Sequence, residues 1–301
     1  MKIVALMPCR NEDWCLGLTA RAALMWCDAL CVLDHASTDN TGPIIGELRK
    51  EFPGRIVTEF TPYPTWDEMQ HRQWLLHHAR TMGATHIAIV DADELLTGPL
   101  LHTIRNHTAA LPRNGILELP QICLRGELTR MHSNGVWAEQ HTPVVFADDP
   151  LLRWENAADG YAHHHRTPTG RTLFPFRPIP RNEGGVMHLQ FLDDRRLRAK
   201  QCLYKMQEVL RWPGRQTAAA INRQYGYAVY GYDISKIIGV AAVGAQHRYA
   251  DVPAAWWEPY QGLMPHLHPE ATPWQLAECQ KLWAEHGTGK FAGLDLFGVV
   301  G

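Results

Sequence analysis

Four short apolar runs occupy the first hundred residues of this 301-residue chain, at 2–8, 29–34, 55–60 and 84–91. Each of the first three is followed by a stretch with helical periodicity. Runs of this length, rich in Ile and Val, read as buried strands. Strands that alternate with helices imply a parallel sheet covered on both faces, because a parallel connection has to cross over. The helix after the first strand carries Trp14, Leu18, Ala22, Met25 and Trp26 on one face. The second helix, 42–51, follows cap candidates Ser37, Thr38 and Asp39. The third, 66–82, includes Trp66, Met69 and Trp74 and stops at Gly83. Right-handed crossovers gather the strand ends, with Arg10, Asp34 and Asp91, along one edge. Open α/β sheets bind their ligands at that edge.

The fourth run ends in Asp91-Ala92-Asp93-Glu94, three carboxylates within four positions. In extended chain Asp91 and Asp93 point to the same side. Two oxygen donors so placed suit a hard divalent cation, Mg²⁺ or Mn²⁺, which in turn holds a diphosphate. An acidic strand-to-loop turn is the plainer reading of the same residues, and a lone D-x-D does not decide between them.

Other classes are disfavoured. A net charge of −2 gives no electrostatic footprint for nucleic acid and no polybasic membrane patch. No apolar run is long enough to span a bilayer, and the N-terminal residues read as a strand rather than a signal peptide. The seven cysteines form no C-x-x-C pair, which suits reduced thiols and a cytoplasmic location. No G-x-G-x-x-G follows the first strand, and Gly287-Thr288-Gly289-Lys290 continues into Phe291, so it is not a P-loop. The run His163-His164-His165 suggests a metal site, but neighbours in a strand point opposite ways and no H-E-x-x-H occurs, which leaves an acceptor or phosphate contact or a solvent-exposed loop.

The order Pro8-x-x-Asn11-Glu12, then Leu33-Asp34-His35-Ala36-Ser37-Thr38-Asp39-Asn40-Thr41, then Val90-Asp91-Ala92-Asp93-Glu94 resembles the family-2 glycosyltransferases of the GT-A fold. The resemblance is specific over residues 2–100 and thin afterwards. It departs from the family form at His35-Ala36, where Asn or Asp followed by Gly is usual, and Ala is costly at positive φ. The resemblance implies a mostly parallel central sheet with helices on both faces. It also implies a metal-dependent hexosyltransferase that moves a sugar from a nucleotide-diphosphate donor, most often a UDP-sugar, to an acceptor hydroxyl with inversion. On that basis Asp34 accepts from the nucleotide base, Pro8, Arg10 and Glu12 line base and ribose, and Asp91 holds the ribose or a metal-bound water. Asp93 ligates the cation, Mn²⁺ or Mg²⁺. Arg72 is a candidate phosphate or uridine contact, or else a solvated helix-face charge.

Beyond residue 100 the pattern gives a short helix at 98–110, strands at 115–123 and 143–146, and a polar loop or β-ribbon at 125–142. Residues 166–184, with Arg166, Arg171, Arg177 and Arg181, form either a segment that orders over a diphosphate or a basic surface loop. The strand 185–191 carries His188, the candidate final metal ligand by resemblance, with a core histidine as the rival reading. An amphipathic helix at 193–212 and helical stretches at 216–230 and 272–286 complete the chain. The expected division is a nucleotide-sugar half at 1–110, an acceptor-side half at 111–215 and a helical extension at 216–301. The extension caps the core, builds an acceptor pocket or forms a homo-oligomer surface.

Inverting displacement needs a general base for the acceptor hydroxyl. Glu139, Glu155, Glu183, Asp193 and Asp194 are candidates, and Glu183 is preferred because it precedes the strand bearing His188. The acceptor class stays open among glycan, lipid intermediate, peptide and small molecule. Two rivals stay open as well: a non-catalytic nucleotide-sugar binding module, and a nucleotidyltransferase on a similar sheet. The latter usually carries a Gly-rich loop where this chain has Pro8-Cys9-Arg10-Asn11-Glu12.

Overall fold

Strand β1, Ile3–Cys9, sorts its side chains by parity. Ile3, Ala5 and Met7 enter one hydrophobic cluster with Leu16, Ala20, Ile45 and Leu48. Val4 and Leu6 enter another with Met69, Leu75, Leu76 and Ala79. Period-two alternation with both faces buried marks a central strand sandwiched between helices. Helices α1 (Leu16–Leu24) and α2 (Thr41–Glu51) cover the first face, and α3 (Glu68–Thr81) the second. Asp67 caps α3 by accepting from the Gln70 N–H, and Gly83, at φ 76°, lies just beyond its end. A computed structural model of the chain describes residues 1–62, 67–155, 166–230 and 247–301. Trp66 and the His163–His165 run fall outside the described residues.

Strands β2 (Ala29–His35) and β3 (Ile56–Thr61) extend the sheet in parallel on one side of β1, and β4 (His86–Ile89) pairs in parallel on the other. Although proline commonly ends a strand, the chain does not break at Pro8. Pro8 lies inside β1, opposite Leu33. Its missing N–H points toward β4, whose ladder with β1 already ends at the Leu6–Ile89 pair, so no sheet bond is lost there.

The later strands are β5 (Glu94–Leu96), β6 (Gly115–Cys123), β7 (Arg130–His132), β8 (His141–Ala147), β9 (Phe174–Phe176), β10 (Val186–His188) and β11 (Tyr249–Asp251). Among the described residues one sheet runs β3-β2-β1-β4-β8-β6-β10-β5, with β9 beside β6. β8 is antiparallel to β4 and β6, and β10 is antiparallel to β5. The result is a mixed α/β, Rossmann-like architecture with a mostly parallel sheet and helices on both faces, as expected of a GT-A fold.

The chain forms two compact units. The first takes Met1–Ile122, Glu139–His188 and Pro253–Pro269; the second takes Cys123–Ala138, Leu189–Val252 and Glu270–Gly301. These breaks differ from the sequence-based division at 110 and 215. In the first unit Pro253–Pro269 returns to the sheet: the Tyr260 hydroxyl donates to the Leu96 carbonyl (2.8 Å), and His268 N–H donates to Trp14 O (2.7 Å). That segment covers the outer side of α1. All residues of α1 are therefore buried, and the one-faced helix expected there is a helix covered all round. Met25, expected on the buried face, lies beyond the helix end and is exposed.

The second unit packs α4 (Asp194–Arg211), α5 (Ala218–Tyr230) and the last helix, Trp274–Lys290, around Phe191, Leu203, Met206, Cys279 and Phe291. The polar stretch expected as a loop or ribbon supplies β7, and its partner is the distant β11. No helix among the described residues is long and apolar enough to cross a membrane.

Candidate active site

The first two motifs are laced into one structure. Asn11 N–H donates to Ser37 Oγ (2.9 Å), and Asn11 Oδ1 accepts from Thr38 N–H (2.7 Å). Glu12 N–H donates to Thr41 Oγ1 (2.9 Å). Asn11 sits at φ 55°, where its short amide side chain lowers the usual cost of a left-handed backbone. Ala36 sits at φ 49°, the conformation that favours glycine and that Ala adopts only at a cost. Asp34 is buried at the end of β2, and its Oδ1 accepts from Ser37 N–H (3.0 Å). Pro8 is buried, and Arg10 and Glu12 are partly exposed beyond the strand end. Glu12 Oε2 accepts from the Trp14 indole (2.7 Å).

The acidic motif is a turn. β4 ends at Ile89, and Glu94 N–H returns to Asp91 O (3.0 Å). Asp91 and Asp93 are therefore not held together by strand alternation, as extended chain would have it. Their partners place them. Asp91 Oδ1 accepts from Arg72 Nη2 (3.3 Å) and Oδ2 from Arg166 Nη1 (3.0 Å). Arg166 also donates to Glu94 Oε1 (2.7 Å) and to Ile89 O (2.8 Å). Arg72 is no solvated charge: it is buried, gripped by Glu68 one turn earlier (2.8 Å), and its Nη1 has no hydrogen-bond partner among the described residues. Burial would raise the Asp91 carboxyl, but Arg166 and Arg72 outweigh it and hold the group below the ordinary range. Burial likewise works against the Arg166 charge, and Asp91 and Glu94 more than restore it.

Asp93 and His188 are brought together by register. β10 pairs with β5 so that His188 lies opposite Glu94, one residue from Asp93. His188 Nε2 then stands 3.3 Å from Asp93 Oδ2. On the far side of the ring, Nδ1 is 3.0 Å from the Gln121 side-chain amide. Gln121 is itself buried, and its backbone carbonyl accepts from Arg181 Nη1 (2.6 Å). With the Gln121 nitrogen toward Nδ1, Nε2 carries the ring proton and faces Asp93. With the amide turned over, its oxygen accepts from Nδ1–H and Nε2 is left as a metal-ligating lone pair.

These residues fit a divalent cation. Among the described residues no group of three His, Cys, Asp or Glu forms a cage, but Mg²⁺ and Mn²⁺ bound with a nucleotide need only one or two protein ligands. Asp93 and His188 are such a pair. Glu68, Asp91, Asp93 and Glu94 bring four carboxylates to the cluster, and Arg72 and Arg166 two guanidiniums, which leaves two negative charges for a dication to neutralise.

Glu183 is exposed on the short helix Arg181–Glu183, just ahead of β10. Of the other candidate bases, Asp193 caps α4, Asp194 pairs with Arg125 and Arg198, and Glu155 pairs with Arg153, while Glu139 is exposed. Within the Arg-rich stretch, Arg166 reaches the acid turn, while Arg171 and Arg177 pair with Asp149 and Glu118. Gln121 and Glu68 carry no motif in the sequence, and Glu94 stands out there only as one of the three clustered carboxylates. The i,i+4 spacing of Glu68 and Arg72 is a signal for that pair. Gln121 carries none, because its role depends on a strand pairing far away in the chain.

No protein-family model and no curated protein sequence matches the chain. Among solved structures it is similar to S. aureus TarS 1–349 in complex with UDP-GlcNAc, at 16% identity over 42% of this chain and 35% of that one, with a TM-score of 0.32. It is also similar to glucosyl-3-phosphoglycerate synthase from Mycobacterium tuberculosis in complex with Mn²⁺, UDP and phosphoglyceric acid, at 17% identity over 40% and 43% of the two chains, TM-score 0.28. A Bacillus anthracis structure assigned as a glucose-1-phosphate thymidylyltransferase matches more of the length, 87% and 94%, at 10% identity and a TM-score of 0.31. The chain spans about a third of the TarS structure it matches. At identities and TM-scores this low, no residue's role passes from those proteins to this chain.

Proposed function

We propose that the chain is a nucleotide-sugar-dependent glycosyltransferase that moves a hexosyl group from a UDP-sugar to an acceptor hydroxyl with inversion. The observation that carries this reading is the Asp93–His188 pair, backed by Gln121 and set beside an acid turn that two arginines hold. Asp34 accepts from the base, and Pro8, Arg10 and Glu12 line base and ribose. Asp91 turns the exposed part of its carboxylate toward the ribose. Asp93 and His188 would hold Mn²⁺ or Mg²⁺. A divalent cation there supplies Lewis-acid neutralisation of the departing diphosphate, typically worth several kcal/mol.

The remaining work falls to protein groups. Arg72, with an unused guanidinium N–H, donates to the same developing charge. Glu183 takes the proton of the acceptor hydroxyl as it attacks the sugar carbon. The acceptor is a glycan, lipid intermediate, peptide or small molecule carrying that hydroxyl.

The test is a panel of nucleotide-sugars incubated with the protein and Mn²⁺, with and without a chelator. This reading predicts chelator-sensitive release of nucleoside diphosphate from one donor. Donor binding without any release would make the protein a binding module. Pyrophosphate release from a nucleoside triphosphate and a sugar phosphate would make it a nucleotidyltransferase.

A further inference from the structure

Building on that reading, we propose that Arg166 is a positioning residue that keeps Asp91 out of the coordination sphere of the cation, so that Asp93 and His188 are the protein's ligands. Asp91 is two residues from Asp93 and feels both Asp93 and His188 electrostatically. A free carboxylate at that distance is a natural third ligand. Here each of its oxygens already carries a guanidinium, Arg72 on Oδ1 and Arg166 on Oδ2.

Neither arginine is free to leave. Arg72 is 4% exposed and tied to Glu68. Arg166 holds both oxygens of Glu94, which is 1% exposed, and the Ile89 carbonyl as well. Withdrawing Arg166 would strand a buried carboxylate, one of the costlier changes a folded chain can suffer. Glu94 completes the fixture by accepting the Asp91 N–H (3.2 Å), so Asp91 is held by backbone and side chain together. The consequence is chemical. A dication with few protein ligands keeps positions and charge for diphosphate oxygens, whereas a third carboxylate would bind it more tightly and neutralise it before the donor arrives.

The experiment is a Mn²⁺ titration followed by electron paramagnetic resonance on the full chain, with no donor present. In the wild type, Mn²⁺ binds, and Asp93→Asn weakens it by about tenfold or more, as loss of a charged ligand requires. Asp91→Asn weakens it by no more than about threefold, because only a distant charge changes. Arg166→Gln tightens binding by about tenfold, since one cation is lost and one carboxylate is released to the metal. The double variant Arg166→Gln with Glu94→Gln removes the stranded charge and keeps the test open if the single variant does not fold.

A gain of affinity is something that mere structural damage does not produce. The proposal is overturned if Asp91→Asn costs as much as Asp93→Asn, or if both Arg166 variants fold and bind Mn²⁺ no more tightly than the wild type. If the wild-type chain binds no Mn²⁺ either alone or with UDP present, the functional reading itself falls, and the proposal with it.

Discussion

His188 Nε2 lies 3.3 Å from Asp93 Oδ2, although the two residues are separated by most of the sheet's sequence. The contact is a consequence of register: β10 enters between β6 and β5, and its last residue lands opposite Glu94. Thr97 sets that register by taking both polar groups of Gly185, with its N–H donating to Gly185 O (2.9 Å) and its Oγ1 accepting from Gly185 N–H (3.1 Å).

A side chain at Gly185 has no room. A Cβ there would stand 2.0 Å from the Pro120 carbonyl oxygen, one residue before Gln121. Gly185→Ala is expected to cost about 3 kcal/mol or more, the upper range for strain in a packed core, and to displace β10 from Gln121. Denaturant unfolding measures the first effect, and loss of Mn²⁺ affinity in the variant that remains folded measures the second.

Asp34→Ala should raise the donor KM more than it lowers kcat, because a base contact made equally in ground and transition states affects binding alone. Steady-state kinetics over donor concentration decides it. A fall in kcat with KM unchanged would take Asp34 out of the base pocket.

Ala36→Gly is expected to stabilise the protein by about 0.5–1 kcal/mol, by relieving a left-handed alanine at φ 49°. Thermal or denaturant unfolding checks it, and a destabilisation would mean that the methyl group's contacts outweigh its backbone strain.

Burial, aided by the neighbouring His35, lowers the His71 pKa from its ordinary value near 6.5 to about 4. The folded protein thus binds fewer protons here than the unfolded chain, so the contribution of neutral His71 is intact above pH 6.5 and is lost as pH falls toward about 4. Relative to His71→Gln, the wild type should lose stability more steeply across that window, by at most about 1.4 kcal/mol per pH unit for one proton. Parallel curves for the two proteins would contradict the assignment.

The N-terminal half was legible because its physics is local. The parity of Ile3, Val4, Ala5 and Leu6 and the β-α alternation fix strands and helices without knowledge of the rest. The break at Gly83 is likewise a local signal, whereas the cap at Asp67 lies one residue inside the helix start expected at 66. What failed to show depended on partners distant in sequence. The full burial of α1 needs the returning segment Pro253–Pro269, and the burial of Arg72 needs the turn at Asp91. Strand alternation pointed to the acids at the tip of β4 for a reason the backbone does not support, since the motif is a turn held by Arg166 and Glu94. Gln121 was invisible because nothing around it in the chain hints at the imidazole it faces.

The central claim is that Asp93 and His188 hold a cation against a nucleoside diphosphate. Crystals grown with MnCl₂ and UDP, measured at the manganese absorption edge, test it directly. An anomalous peak is expected within bonding distance of Asp93 and His188, next to the diphosphate, and none in Asp93→Ala. UDP and manganese bound together elsewhere on the molecule, with that corner empty, would contradict it.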